Sequence, residues 1–593
     1  MARENEEPTL LVPDIIVNFN LLASWLLITS WKKLGIDTYI VSPGYRDAPL
    51  LAVLQAEAGL TTISAFDERA AAYQALGYGK ATGKPAVLVC TSGTAGANYY
   101  PAVIEAAVEQ VPLLVLTADR PFELVHAGAQ QVIDQRALFG RFVKQSFDFP
   151  CPSPTMSLQA WTSYAREALR LTQEGAAGPV HLNVPFGSPL DPLADRGEEL
   201  SKARKTLARL WQGWDRQVMT SVQPKLNEWA AESLLKDLCS AKRGLLILGR
   251  LSNAEEQASA LAFAEDLAWP VYADISSGCK GRLSREILDA AHPAARACLD
   301  TYQPDCVVHV GRRLVSRAFD DALEAWNPES YWVLSEEAGI QDPAHLPQRM
   351  QLMLGPSSLH QFRSSLRPQS PSSEQGALLT AMKGLRAAMR EMKFADFGFA
   401  AVAGTVNAAM KEFKQGLFLG NSLAIRAFDS WVYDPIYPVV CEANRGVSGI
   451  EGLLATTMGL AVGSEHPWTL LIGDVSLMHD LNSLLLLAQQ RLPVIIVLVN
   501  NQGGRIFETL SIRRHAWVKD PLMTTPHGFH FEGLASMAGI SYKLCSDNSQ
   551  LQDAYTKALI EGGPALIECL QTADVDARYS QELRKITITK ESL

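Results

Sequence analysis

Between Thr469 and Gly504 the chain runs through an apolar stretch, Gly473-Asp474-Val475-Ser476, a second mostly apolar run, and Asn500-Asn501-Gln502-Gly503-Gly504. Thr469 to Gly473 and Pro493 to Asn500 read as neighbouring buried strands with a helix between them, which commits this part of the chain to a parallel α/β sheet. The spacing also carries chemistry. An Asp at one strand end and a carboxamide 27 positions later, at the next strand-to-loop junction, can offer two oxygen ligands to one small divalent cation that also grips a diphosphate. Hard cations such as Mg²⁺ take oxygen ligands and often use one or two protein side chains beside phosphates. Either half alone is an ordinary strand end or Asn-Gly turn; the two together read as a diphosphate clamp.

The same strand-then-helix rhythm recurs in three regions. The first, to about residue 195, has strands at Thr38 to Val41, Ala86 to Cys90, Leu113 to Thr117 and Val180 to Val184, with helices at Glu68 to Lys80 and Asn98 to Gln110. The second restarts with Gly244 to Gly249, Pro270 to Asp274, Cys306 to Gly311 and Tyr331 to Ser335. Polar stretches at 191–225 and Ser364 to Gly376 read as linkers, and 593 residues suit about three domains. The outer two regions have room to share one fold.

Leu10 to Trp31 is apolar but broken by Asp14, Asn18, Asn20 and Ser24, which predicts an amphipathic helix and no membrane span. The acidic start, Met1-Ala2-Arg3-Glu4-Asn5-Glu6-Glu7, is unlike a signal peptide. Nine scattered cysteines without a C-x-x-C pair fit reduced thiols and a cytoplasmic protein. A net charge of -10 leaves no basic surplus for nucleic acid, so anionic substrates must meet local arginines.

Phe66-Asp67-Glu68-Arg69 lies between a short strand and an Ala- and Gly-rich helix, where acidic residues ordinarily cap the helix. The clamp gives Glu68 a second reading, because it resembles the metal and cofactor motif of thiamine-diphosphate enzymes. In that family one buried carboxyl group meets the aminopyrimidine ring, promotes its imino tautomer and so activates the thiazolium carbon; burial raises the carboxyl's pKa and keeps its proton available. The resemblance assigns this catalytic role to Glu68. It assigns the metal, Mg²⁺ or Mn²⁺, to Asp474, Asn501 and the carbonyl of Gly503, and a diphosphate contact to Ser476.

The resemblance sharpens with motif order. Pro43-Gly44-Tyr45-Arg46-Asp47, Thr91-Ser92-Gly93-Thr94, Leu116-Thr117-Ala118-Asp119-Arg120, His181-Leu182-Asn183, Gly420-Asn421-Ser422, Asn444-Arg445-Gly446 and Ser448-Gly449-Ile450-Glu451-Gly452 follow one another as in the MenD family of the menaquinone pathway, over nearly the whole chain. This implies three doubly wound parallel-sheet domains of the thiamine-diphosphate type: a pyrimidine-binding domain at 1–195, a central α/β domain at 196–375 and a diphosphate-binding domain at 376–593. It also implies decarboxylation of 2-oxoglutarate, addition of the succinyl unit to isochorismate, and a homodimer or dimer of dimers whose sites join two copies.

By motif, Arg46, Arg120, Gln131, Ser422, Arg426 and Arg445 fall at substrate positions. Arg317, in the cluster Arg312, Arg313 and Arg317, is a looser match. Ile450 matches the apolar prop beneath the bent cofactor, and Ile506 and Phe507 are expected to line the thiazolium pocket. The family usually has Ser where this chain has Tyr45 and Asp47, and Asn at Gln130. An extra carboxylate repels an anionic acceptor unless it is paired, so a thiamine-diphosphate carboligase with another acceptor is a second reading. An acetohydroxyacid-synthase-like enzyme with FAD in the middle domain is a third. A non-catalytic paralogue is expected to lose Glu68, Asp474 or Asn501, and all three are present.

Overall fold

In the computed structural model, residues 12–194, 198–212, 228–336, 342–363, 372–391, 396–432, 436–437, 440–572, 574–583 and 585 are described. The chain forms three sheets. The first contains β1 (Thr38–Ser42), β2 (Thr61–Ser64), β3 (Val87–Cys90), β4 (Leu113–Asp119), β5 (Ser146–Asp148) and β6 (Pro179–Pro185), in the order β2-β1-β3-β4-β6-β5. The second contains β7 (Gly244–Leu248), β8 (Val271–Ala273), β9 (Cys306–Val310), β10 (Ser330–Ser335) and β11 (Arg349–Met353), in the order β11-β10-β9-β7-β8. The third contains β12 (Gly416–Leu419), β13 (Val440–Glu442), β14 (Trp468–Gly473), β15 (Val494–Asn500), β16 (Ser541–Cys545) and β17 (Ala565–Leu570), in the order β13-β12-β14-β15-β17-β16.

Every pairing between these strands is parallel. Parallel strands need crossovers, most of which here carry helices, so central strands such as β15 are buried along their whole length. This is the three-sheet architecture expected from the sequence. β14 and β15 are neighbours, with Gly473 beside Val499, which brings the two ends of the clamp to one edge of the sheet.

The chain divides into two compact units, Met1–Val222 with Leu454–Glu465, and Gln223–Leu453 with His466–Leu593. The helix Leu453–Gly463 packs on the helix Glu68–Thr82 of the first unit. Glycines permit the close approach: a Cβ on Gly77 would sit 2.0 Å from the carbonyl oxygen of Thr456, and one on Gly459 1.9 Å from that of Gln74.

The helix expected to be amphipathic is not. Phe19–Lys33 is buried from Phe19 through Trp31 and packs against the helices Ala48–Ala56 and Leu158–Gln173. Asp14 is exposed ahead of the helix, but the other three polar residues that suggested a wet face are bonded inside. Asn18 Oδ1 accepts from the Leu21 N–H, Asn20 Nδ2 donates to the carbonyls of Gly187 and Pro189, and Ser24 Oγ donates to the Asn20 carbonyl. The 191–225 linker contains the helix Glu199–Gln212; its residues 195–197 and 213–225 lie outside the described residues, as do residues 364–371 of the second linker. The second linker ends in the helix Ser373–Glu391. Among the described residues no helix is long and apolar enough to cross a membrane.

Candidate functional site

Parallel sheets present their strand C-termini along one edge, and in the first unit four such ends converge. β1 leads into Gly44, which has no room for a side chain: a Cβ would lie 2.4 Å from Thr91 Cβ, just past β3. The Arg46 N–H donates to Thr91 Oγ1 at 3.3 Å, and Arg46 Nη1 donates to the Phe186 carbonyl past β6 at 2.7 Å. Burial and then the neighbouring Arg120 guanidinium lower the pKa of Arg46. The Nε atoms of Arg46 and Arg120 are buried and have no hydrogen-bond partner among the described residues. Two adjacent cations with donors to spare are what a carboxylate receptor requires.

Asp47 does not belong to that receptor. Its side chain is fully buried, and Oδ1 accepts the Gly44 N–H at 2.9 Å. Burial pushes its pKa to about 7 against the opposing pull of the Gly44 N–H. The expectation that Asp47 repels an anionic acceptor is therefore corrected: the carboxyl turns inward and ties its own loop. Tyr45 is exposed and donates its hydroxyl to Asp191 Oδ2 at 2.9 Å, and Gln130 is exposed.

Gln131 is at left-handed φ of 57° and is clipped to the loop after β3 by two bonds, Gln131 Nε2 to the Ser92 carbonyl at 3.0 Å and Ser92 Oγ to the Gln131 carbonyl at 3.1 Å. Behind it, Gln135 Oε1 accepts the Gly93 N–H, while its Nε2 donates to the Ala118 carbonyl and to Asn183 Oδ1. Asn183 Nδ2 donates to Asp119 Oδ2. His181, pushed down to about 3 by burial, stays neutral between Thr117 and Ser146. Glu68, half-buried, starts the helix Glu68–Thr82, whose N-terminal N–H groups are capped by Asp67, not by Glu68.

In the second unit, β14 ends at Gly473 and Asp474 opens the helix Asp474–Met478. Asp474 is buried; Oδ1 accepts the Val475 N–H at 2.7 Å and Oδ2 accepts the Gly503 N–H at 3.0 Å, which closes the loop after β15 onto the loop after β14. Burial raises its pKa, against the pull of these N–H groups. Gly503, at φ 138°, meets the Thr524 carbonyl where a Cβ would be, 2.4 Å away. Asn500 is fully used: Nδ2 donates to Glu568 Oε1 at 2.7 Å and to the Phe529 carbonyl at 2.9 Å, and Oδ1 accepts the Gln502 N–H. The buried Asn501 carboxamide has no hydrogen bond among the described residues.

The available donors are thus a carboxylate, a carboxamide oxygen and a backbone carbonyl, an all-oxygen set suited to a hard cation. Among the described residues no group of three or more His, Cys, Asp or Glu side chains is arranged to hold a metal ion. Ser476 is buried two residues past Asp474; Ile450, Ile506 and Phe507 are half-buried, the last two on the turn Arg505–Glu508. His527, which sequence reasoning missed, puts Nε2 3.2 Å from Asp474 Oδ2. Only the fold-back of the loop after Thr524 brings it there.

β12 leads into Asn421, whose Nδ2 donates to the carbonyls of Asn444 and Gly449, while Oδ1 accepts from Arg445 Nη1 at 2.8 Å. Ser422, at φ 71°, precedes the helix Leu423–Trp431, and Arg426 Nη1 donates back to the Ser422 carbonyl at 2.7 Å. Burial and then Arg445 lower the pKa of Arg426, a second pair of adjacent guanidiniums. Arg426 lines a cavity of about 340 Å³ together with Lys280, His292, Arg386, Phe399 and Trp431. Of the basic cluster, Arg313 reaches this loop system, donating to the Gly446 carbonyl at 3.0 Å. Arg317 is exposed at the start of the helix Ala318–Trp326, and the structure does not bring it to these groups.

Three parallel α/β sheets in this arrangement define a class. Its domains are matched in order by the thiamine pyrophosphate enzyme N-terminal TPP binding domain (residues 23–138), the middle domain of thiamine pyrophosphate enzymes (203–419) and the thiamine pyrophosphate enzyme C-terminal TPP binding domain (440–569). The protein is a thiamine-diphosphate (pyrophosphate) enzyme. Three 2-succinyl-5-enolpyruvyl-6-hydroxy-3-cyclohexene-1-carboxylate synthases resemble it along their lengths. That of Syntrophus aciditrophicus is 37% identical over 96% of this chain and 99% of its own. That of Rubrobacter xylanophilus is 36% identical over 95% and 98%, and that of Chlorobaculum tepidum 35% over 89% and 90%. The chain belongs to this synthase family.

Proposed function

We propose that the protein decarboxylates 2-oxoglutarate and joins the four-carbon remainder to isochorismate, giving 2-succinyl-5-enolpyruvyl-6-hydroxy-3-cyclohexene-1-carboxylate for menaquinone or phylloquinone biosynthesis. The observation that carries this reading is the Asp474 carboxylate closed onto the Gly503 N–H beside the Asn501 carboxamide. Asp474, Asn501 and the Gly503 carbonyl would hold Mg²⁺ or Mn²⁺, and Ser476 a diphosphate oxygen. Thiamine diphosphate, when bound, supplies the electron sink for loss of carbon dioxide.

The chain's own residues then position and exchange protons. Glu68 holds a proton at the aminopyrimidine ring, while Ile450, Ile506 and Phe507 pack the cofactor's apolar faces. The substrates are both polyanions, and the two arginine pairs divide them: Arg46 and Arg120, with Gln131, take a carboxylate of the acceptor, and Ser422, Arg426 and Arg445 take the donor. The inward turn of Asp47 supports isochorismate over a less charged acceptor. The assembly is a homodimer or a dimer of dimers, which sedimentation velocity reads directly. The deciding assay follows carbon dioxide release from 2-oxoglutarate with and without isochorismate, with the product's mass. Equal release without isochorismate, or no adduct of the expected mass, defeats the proposal.

A further inference from the structure

Arg426 and Asp429 lie three residues apart on the nine-residue helix Leu423–Trp431, on neighbouring positions of one helix face. Opposite charges at this spacing attract, and a carboxylate that paired with Arg426 would neutralise the guanidinium meant for substrate. It does not pair. Asp429 Oδ1 accepts from Lys280 Nζ at 2.7 Å and from the Ile275 N–H at 3.0 Å, and Oδ2 accepts from the Tyr272 hydroxyl at 3.1 Å. All three donors come from β8 and the loop after it.

The neighbouring carboxylates are already supplied. Asp274 accepts from Ser276 and the Val315 N–H, Asp289 from the Ala291 N–H and Ser316 Oγ, and Glu286 from the Gly281 N–H. The nearby Arg386 donates to the Glu286 carbonyl. Lys280, buried with its ring contact to Tyr272, is thus the cation assigned to Asp429.

We infer that Lys280 and Asp429 are positioning residues for Arg426: the sheet of β7–β11 holds Asp429 through Lys280 and so keeps the arginine un-neutralised and facing the cavity. This rests on the reading that Arg426 takes a substrate carboxylate. Removing the lysine charge frees Asp429 to turn on Arg426, and removing the aspartate charge as well abolishes the competition.

The test is a double-mutant cycle on the full-length, cofactor-saturated enzyme, reading KM and kcat for each substrate separately. Lys280→Met is expected to raise KM for 2-oxoglutarate roughly 30-fold with KM for isochorismate within about 3-fold, a shift of uniform binding. Asp429→Asn is expected to stay within about 5-fold of wild type, Lys280→Arg within about 3-fold, and Lys280→Met with Asp429→Asn to recover at least about 5-fold of what Lys280→Met loses. If Lys280→Met does not fold, as judged by far-UV circular dichroism, Lys280→Gln keeps a donor without the charge and is read the same way. A double variant no better than the lysine variant alone overturns the inference. The underlying reading fails separately, if Arg426→Ala leaves both KM values unchanged.

Discussion

The first and third sheets thread their six strands in the same relative order, yet the same slots carry different chemistry. After the first strand of each comes a glycine pressed on the tip of the third, Gly44 against Thr91 and Gly420 against the Leu471 carbonyl. The next loop carries Glu68 in one sheet and Arg445 in the other. Past the third strand stand Thr91-Ser92-Gly93 and Asp474-Val475-Ser476; past the fourth, Arg120 and Asn501. The sixth strand even places matched buried anchors, Asn183 and Glu568, each two residues before the partner of the fourth strand's last residue. Asn183 ties Gln135 and Asp119, whereas Glu568 accepts from Asn500, the Phe531 N–H and the Tyr542 hydroxyl and lies 3.2 Å from His530 Nδ1. Topology fixes where loops meet; the few residues in each loop decide which groups the edge presents, oxygen donors in one sheet and guanidiniums in the other.

The sharpest way to break this division is to strike the same slot in both sheets. Asp474→Ala is expected to weaken Mg²⁺-dependent thiamine-diphosphate binding by at least about 100-fold, since loss of even a supporting group costs about 10- to 100-fold. Ser92→Ala should change it by less than about 5-fold by the same reasoning. Fluorescence titration measures both, and comparable losses would mean that the two edges share the clamp.

Glu68→Gln keeps shape and removes an exchangeable proton. It should lower kcat by roughly 10²- to 10⁴-fold at saturating cofactor, with cofactor affinity nearly unchanged. A loss confined to affinity would move Glu68 into the binding machinery of the other sheet.

The matched anchors should differ in weight. Glu568→Gln replaces an acceptor of several donors by an amide with one acceptor oxygen, at a cost of about 2–4 kcal/mol, while Asn183→Ala strands Gln135 and one oxygen of Asp119 at about 1–3 kcal/mol. Urea unfolding monitored for each unit's signal orders them, and Asn183→Ala as the more damaging change would reverse the comparison.

A further expected effect is on pH. Asp47 is raised in the folded chain from an ordinary aspartate value to about 7, so between about pH 4 and 7 the native state holds a proton that the unfolded state has released. Stability contributed by this group is therefore present at the acid end and falls as pH rises, by up to about 1.4 kcal/mol per pH unit. Asp47→Asn should flatten that slope in Tm measured from pH 4.5 to 7, whereas a slope unchanged by the substitution would show that the carboxyl is not held neutral.

How much of this was legible depended on range. Strand cores, and the place of Asp474 and Asn501 just past two of them, could be read because a buried parallel strand is a continuous apolar run and its loop follows at once. The edge strands Ser146–Asp148 and Arg349–Met353 escaped because short, half-exposed strands bear no such run. The buried helix Phe19–Lys33 was misjudged for a related reason: Asn20 and Ser24 look solvated until the carbonyls that receive them are in place. Asp47 looked like an acceptor-facing charge because sequence gives no direction to a side chain.

The sequence by itself determined the alternation of strands and helices, which follows from local periodicity, and the order of the motifs, whose resemblance to a known family implied the cofactor class. Only the tertiary structure decided that Asp47 turns inward, that Lys280 holds Asp429 across 149 positions, and that His527 arrives beside Asp474. Each of those depends on burial and on partners distant in the chain, where desolvation makes one pairing far more favourable than the others and no local pattern records which one.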